Sequence, residues 1–327
     1  MKLQFNLTTS ACDLDRFSDR NALLTLLRGF DGVELMCMED DVRGLVPPER
    51  VTGLHMICVT YWMDLWTGDR DACLRELGSP EAIRAAYGGD TREALVAHYR
   101  RDLENAKKYG AEYVVFHVAD SNIEQTLTGR YRYSSREVID ASCELLNELF
   151  SGVTGGPALL LENLWQPGLT MTDPELTARL LEGVRYPNKG IMLDTGHLMH
   201  TNTSLRTQPQ ALAYIHQMLD LHGSLCRHIR GVHLNQSLTG GYMRRVMRRP
   251  PVFAEDYMQR SYQLFEYVFK VDRHRPFTCP GVAALLERIA PEYVTFEFIS
   301  NDLPQLRRML HRQQNALARE GFALSGI

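Results

Sequence analysis

The stretch Gly190-Ile191-Met192-Leu193-Asp194-Thr195-Gly196-His197 decides the reading of the chain. Its first four residues are apolar at successive positions, on both alternations. A strand reads this way when both of its faces are covered, as in a parallel sheet. The run then ends abruptly in Asp194, with His197 three residues on. Upstream, Ala158-Leu159-Leu160-Leu161 ends the same way, in Glu162-Asn163. Between the two lies Thr172-Asp173-Pro174-Glu175, a helix start with Thr172 or Asp173 as cap and Pro174 in the first turn. Strand, helix and strand form one βα repeat whose strand tips carry polar groups.

The same unit recurs outward in both directions. The other apolar runs are Leu3 to Leu7, Gly32 to Met36, Val51 to Val59, Tyr113 to Phe116, Ile229 to Val232 and Tyr293 to Phe296. Helical patterns run over Glu93 to Tyr109, with Gly110 as its end, and over Ser134 to Phe150, Gln208 to Leu221 and Asp302 to Ala318. Eight strands alternating with helices predict an α/β fold, a single (β/α)8 TIM barrel over residues 1–327. An open doubly wound sheet is the alternative, but no Gly-x-Gly-x-x-Gly follows the first strand. The excess length falls in two long insertions, after strand 3 (about 61–91) and after strand 7 (about 236–271), expected over the C-terminal rim. Segments of that length are usually lids or binding loops.

Composition excludes several classes. Of 327 residues, 44% are apolar and 23% charged, which is ordinary globular usage and rules out a disordered chain. No apolar run is long enough to span a membrane, and the N-terminus turns polar too early for a signal peptide. Seven cysteines without a Cys-x-x-Cys pair suit reduced thiols in a cytoplasmic enzyme. The net charge of −4 gives no global attraction to a polyanion.

Polar, metal-competent residues cluster at the strand ends: His55, His117, Glu162, Asp194 with His197, His233 and Glu297. In a parallel barrel these ends share one rim, where active sites sit. Buried carboxylates and imidazoles crowded together require a compensating charge, and a divalent cation supplies it. Carboxylates and imidazoles without a thiolate suit zinc, manganese or iron. In Val271-Asp272-Arg273-His274, Asp272 and His274 are two apart and share one side of an extended segment.

Three motifs, Leu193-Asp194-Thr195-Gly196-His197, His233-Leu234-Asn235-Gln236-Ser237 and Asp272-Arg273-His274, resemble the endonuclease IV and sugar isomerase/epimerase superfamily, the xylose isomerase-like TIM barrels. The latter two are nearer the endonuclease IV branch. The resemblance implies two to three divalent ions (zinc, or manganese or iron) and nine ligands. His55, His117 and Glu162 would hold one ion. Glu162, Asp194, His233 and Glu297 would hold a second, with Glu162 bridging. His197, Asp272 and His274 would hold a third. The isomerase branch implies only the Glu162, Asp194, His233 and Glu297 set. From His233 to Asp272 is 39 positions, much longer than in the endonuclease branch, and the segments after His55 and His117 do not match its DNA-contacting loops. These departures bear on substrate rather than on metal.

The chemistry expected is metal-assisted phosphoester hydrolysis, with Glu162, Glu297 and His197 as catalytic residues. The alternative is sugar or sugar-phosphate isomerisation or epimerisation, with Glu162 and Glu297 as acid and base around one ion. A metal-binding barrel without catalysis is a third class. The partner would be a phosphorylated or sugar-like small molecule, or nucleic acid with an abasic site; no membrane is expected. Arg273 could capture phosphate in bidentate fashion. Glu34, at the same rim, reads either as a substrate contact or as a strand-end ion pair. Tyr61, Trp62 and Trp66 read as a stacking surface for a base or sugar, or as a lid's own small core. The cluster Arg244, Arg245, Arg248 and Arg249 reads as a solvated helix face or a phosphate-steering patch. Tyr257, Tyr262, Phe265, Tyr267 and Phe269 are expected to pack the second insertion onto the barrel. Asn163, Asn235 and Ser237 are expected to hold ligands in place, and His200 has no role in this reading. Three divalent ions would move the formal charge from −4 to about +2, so mild acidity does not exclude an anionic substrate.

Overall fold

Eight parallel strands close into a barrel in chain order in this computed structural model, which describes residues 1–322. They are β1 (Lys2–Thr8), β2 (Gly32–Met36), β3 (Val51–His55), β4 (Tyr113–His117), β5 (Ala158–Glu162), β6 (Lys189–Asp194), β7 (Ile229–His233) and β8 (Tyr293–Phe296). Pairing of Lys2 with Tyr293 completes the ring and excludes the open sheet. The apolar runs serve two surfaces. Val114, Phe116, Leu159, Leu161, Ile191, Leu193 and Val294 face the surrounding helices, whereas Val115, Leu160, Met192, Tyr113 and Tyr293 fill the barrel interior. Both faces are therefore dry, which is why these strands do not alternate in polarity.

The helices begin where side chains can satisfy their free N–H groups. Asp173 accepts from Glu175 and Leu176 N–H ahead of the helix Pro174–Gly183. Ser134 and Glu137 form a reciprocal cap ahead of Ser135–Leu149. Gly110, at φ 68°, ends Arg92–Tyr109. The strand expected over Val51 to Val59 stops at His55. Met56 N–H still reaches Val115 O, but Ile57 N–H is captured by the Asp102 carboxylate and the chain leaves the sheet.

Both long connections carry helices of their own. Segment 61–91 contains Met63–Thr67, Arg70–Leu77 and Pro80–Tyr87, and segment 236–271 contains Gly240–Arg248 and Tyr257–Val271. Ile123 and Leu127, in the helix after β4, pack with Met243, Tyr267 and Val271, so the second insertion rests on the C-terminal side of the barrel. Its aromatic residues divide. Tyr267 is buried, whereas Tyr262, Phe265 and Phe269 stand more than half exposed, so the expectation that all five pack inward is corrected. No helix among the described residues is long and apolar enough to cross a membrane.

Candidate metal centre

Strand register brings the polar tips together. His117 lies beside Glu162 across β4 and β5, and Asp194 beside His233 across β6 and β7. Glu162, with no solvent exposure, is the hub. Its Oε2 lies 3.1 Å from His55 Nε2 and 3.0 Å from His117 Nε2. Its Oε1 lies 3.0 Å from His233 Nδ1 and 3.3 Å from His197 Nδ1. Each oxygen of one carboxylate thus serves a different group of imidazoles.

Donor atoms of Glu162, Asp194, His233 and Glu297 all lie within 4.8 Å of one another. His233 Nδ1 faces the carboxylates, 3.8 Å from Asp194 and 3.4 Å from Glu297. Its Nε2 is held by Glu34 Oε1 at 2.9 Å. Glu34 is itself fixed by Tyr113 Oη at 2.6 Å and Thr295 Oγ1 at 3.1 Å. The structure therefore seats Glu34 inside the barrel beneath His233, where it orients the ring rather than facing substrate; this corrects its reading as a substrate contact. Gly53 makes room for this layer, because a Cβ there would stand 2.0 Å from the Tyr113 ring.

His197, Asp272 and His274 form a second group of donors within 4.8 Å. Asp272 Oδ2 lies 3.1 Å from His197 Nε2 and 2.7 Å from His274 Nε2. His200, which carried no role in the sequence reading, is buried with Nε2 3.2 Å from Asp272 Oδ1. Its spacing from His197, three residues on a helix, was the available signal. His274 is held at φ +43°, a left-handed conformation that costs a non-glycine residue about 1–3 kcal/mol. Ser237 Oγ supports it by accepting from both Arg273 N–H (2.8 Å) and His274 N–H (3.2 Å). Asn235 Nδ2 donates to Asp194 Oδ2 at 2.7 Å, and Asn163 bonds the Asp194 backbone on both sides. Gly196 is needed for this contact, because a Cβ there would lie 1.9 Å from Asn235 Oδ1.

A third group, His55, Cys58 and His117, also brings its donors within 4.8 Å. Cys58 was absent from the sequence reading, although His55-Met56-Ile57-Cys58 is a metal-compatible spacing.

The electrostatics match this crowding. Burial disfavours charge on every imidazole, but the neighbouring acids outweigh it. His117 (beside Cys58 and Glu162) and His274 (beside Asp272 and Glu297) rise to about 9, and His55, His197 and His233 lie well above the ordinary value. Burial would raise Glu162 and Asp272, yet the surrounding imidazoles hold both well below the carboxylate range. Glu297 goes the other way, to about 7, because burial and the Asp194 and Glu162 charges outweigh His233 and His274. Burial also opposes the Cys58 thiolate, but His117 and His55 bring the thiol down to about 5. Imidazolium protons are thus standing in for cations. His117 Nδ1, His274 Nδ1 and Asn235 Oδ1 are buried without a hydrogen-bond partner. Five imidazoles, four carboxylates and these unpartnered atoms fit divalent ions.

The remaining candidates lie elsewhere. Trp62 is buried and donates Nε1–H to Ala119 O, so it belongs to the core of the first insertion, while Tyr61 is partly buried, donates to Asp64 and lines a cleft of about 420 Å³. Arg273 is exposed between the buried Asp272 and His274. It lines a cleft of about 680 Å³ with Arg16 and Phe298, and a groove of about 600 Å³ with Arg206, Lys270 and Arg275. Among the described residues, no carboxylate lines that groove. Of the arginine cluster, Arg244 donates to Thr203 O and Arg245, Arg248 and Arg249 face solvent, outside that groove.

A family model described as the xylose isomerase-like TIM barrel matches residues 26–307. The chain belongs to that family. Solved structures with TM-scores of 0.50 and 0.55 share the fold. IolI protein with a bound zinc atom shares 14% identity at a TM-score of 0.55, covering 98% of this chain and 97% of that one. D-psicose 3-epimerase with D-tagatose from Clostridium cellulolyticum H10 shares 14% identity at 0.50, covering 99% of each. Endonuclease IV from Thermus thermophilus shares 15% identity at 0.49, covering 98% of this chain and all of that one. No curated protein matches the sequence. A barrel of this kind hosts more than one reaction, so it is the donor set that bears on chemistry.

Proposed function

We propose that this xylose isomerase-like barrel is a divalent-metal-dependent phosphoester hydrolase with a three-metal centre, of the endonuclease IV type. The observation that carries this is the buried His197–Asp272–His274 group, which a single-metal isomerase does not need. His55, His117 and Glu162 would hold one ion, Glu162, Asp194, His233 and Glu297 a second, and His197, Asp272 and His274 a third. Bound there, the ions supply a water acidified toward neutral pH and positive charge for phosphate oxygens. Glu162 sets the spacing of the first two sites through its two oxygens. Glu297, whose side chain solvent still reaches, is placed to take the proton of an attacking water. Arg273 offers its guanidinium to a phosphate from the cation-lined groove.

A sugar isomerase or epimerase would use Glu162 and Glu297 to pass a proton between carbons. Both oxygens of the fully buried Glu162 already face imidazoles, which leaves it no edge for substrate. The substrate is a phosphorylated small molecule or a nucleic acid with an abasic site. Seven cysteines, all unpaired, support a reducing compartment such as the cytoplasm.

Elemental analysis of the purified protein tests the reading, together with assays on a synthetic phosphodiester, an abasic duplex and a ketose in deuterated water. Close to three ions per chain, one of them lost in His274→Ala, with phosphoester cleavage, is expected. A single ion lost in Glu297→Ala but not in His274→Ala, with deuterium entering the ketose, would establish the isomerase instead.

A further inference from the structure

The His55–His117 site contains a donor outside the nine proposed ligands. Cys58 Sγ lies 3.9 Å from His117 Nε2, and Glu162 Oε2 lies 3.1 Å and 3.0 Å from His55 Nε2 and His117 Nε2. Zinc bond lengths of about 2.0 Å to N and O and about 2.3 Å to S place tetrahedral donors roughly 3.3 Å apart for N and O and roughly 3.5 Å apart for N and S. The observed separations are close to those edges.

The thiol is also held in position. Ile57 N–H is bonded to the Asp102 carboxylate at 3.1 Å, and Thr60 O accepts from Ser121 N–H at 2.7 Å. The short turn carrying Cys58 is therefore tied down on both sides, to the helix Arg92–Tyr109 and to the segment after β4. His55 Nδ1 lies 2.7 Å from Met56 O, which leaves Nε2 free for the site. Cys58 is an exposed residue whose Sγ lies within 4.8 Å of the donor nitrogens of His55 and His117.

We infer that Cys58 is a thiolate ligand of the ion held by His55, His117 and Glu162, giving a site of one thiolate, two imidazoles and one carboxylate. The inference rests on the metal reading above and sharpens it. Thiolate is a soft donor, so this site selects zinc over manganese or magnesium, while the other two sites keep nitrogen and oxygen donors alone. The sulfur fills the fourth position, which at a catalytic zinc is left to water. On this assignment the ion at His55 and His117 is chiefly a structural and electrostatic partner. A position left open to water then falls to the His197–Asp272–His274 site, which offers three protein donors.

Cobalt(II) titration of the metal-free protein tests this. A sulfur-to-cobalt charge-transfer band in the near ultraviolet is expected in the wild type and in Cys12→Ser, an exposed cysteine elsewhere, and is expected to vanish in Cys58→Ala. Zinc affinity of one site should fall about ten- to a hundredfold in Cys58→Ala, with the remaining ions retained. In the unaltered protein, zinc should protect Cys58 from iodoacetamide while Cys12 reacts with and without metal. Wild-type protein that binds about three cobalt ions without the band, or equal alkylation of Cys58 with and without zinc, would overturn the assignment while sparing the metal reading. Failure of the wild type to bind more than one ion would overturn the reading beneath it.

Discussion

Loading the metal-free protein at pH 7 should expel protons, and their number follows from the site. His117 and His274 titrate at about 9 without metal, so each is about 99% protonated two pH units lower. His55, His197 and His233 also lie well above the ordinary imidazole value, raised by the acids around them against the opposing effect of burial. Glu297, at about 7, is half protonated. Glu162 and Asp272 lie well below and contribute none. Metal requires neutral imidazole and ionised carboxylate, so every one of these protons must leave. Full loading therefore releases between two protons, from the two histidines at about 9, and roughly five or six if all the groups are discharged. The metal-free state binds more protons than the loaded one across this range. Apparent metal affinity therefore rises with pH from 7 through 9, as His117 and His274 lose their protons. Zinc titration calorimetry in buffers of different ionisation enthalpy reads the proton count directly. Release of fewer than one proton per fully loaded chain at pH 7 would refute the reasoning, because it would mean that the imidazoles are already neutral and the carboxylates do not hold imidazolium.

Other outcomes follow from single contacts. Gly196→Ala places a methyl 1.9 Å from Asn235 Oδ1, so it should displace the amide that holds Asp194. A cost of about 1–3 kcal/mol by chemical denaturation is expected, with weakened metal binding; an unchanged midpoint and metal content would argue against that role. Ser237→Ala removes the acceptor that supports the left-handed His274, and one ion should bind about ten- to a hundredfold more weakly with the other ions unaffected. Arg273→Ala should raise KM for a phosphodiester about tenfold or more with little change in metal content by elemental analysis; an unchanged KM would remove Arg273 from substrate binding. Asp120, buried where its Oδ1 accepts from Trp62 and Met63 N–H, is pushed up to about 7 mainly by burial. The folded protein therefore binds this proton more tightly than the unfolded chain does. Stability from this group is present below about pH 4 and lost as pH rises toward 7, by up to roughly 4 kcal/mol. Asp120→Asn keeps the acceptor without the charge and should flatten that slope in denaturation curves taken from pH 4 to 7.

The sequence alone determined the barrel and nine of its candidate donors. Most strands are short, apolar on both alternations and end at or next to a polar residue, and parallel strands necessarily share one rim, so strand order fixes which residues converge. What a one-dimensional pattern lacks is the direction of each side chain and the course of each loop. Glu34 reads as a rim carboxylate, but the pleat turns it into the barrel, where it is bonded by Tyr113, Thr295 and His233. Tyr61 and Trp62 read either as a stacking surface or as a lid's own core, and only the fold separates them: Trp62 is buried, while Tyr61 is partly buried and packs against the core. His200 escapes notice because its partner Asp272 lies 72 residues away. Cys58 lies in the His55 turn, yet it gains meaning only from His117, on the next strand and 59 positions distant. Spacing along the chain reports local geometry, whereas a metal-competent site is a convergence in space. The donors at strand ends and in short motifs such as Asp272-Arg273-His274 were therefore legible in the sequence, and Cys58, His200 and the seat of Glu34 were decided by the tertiary structure.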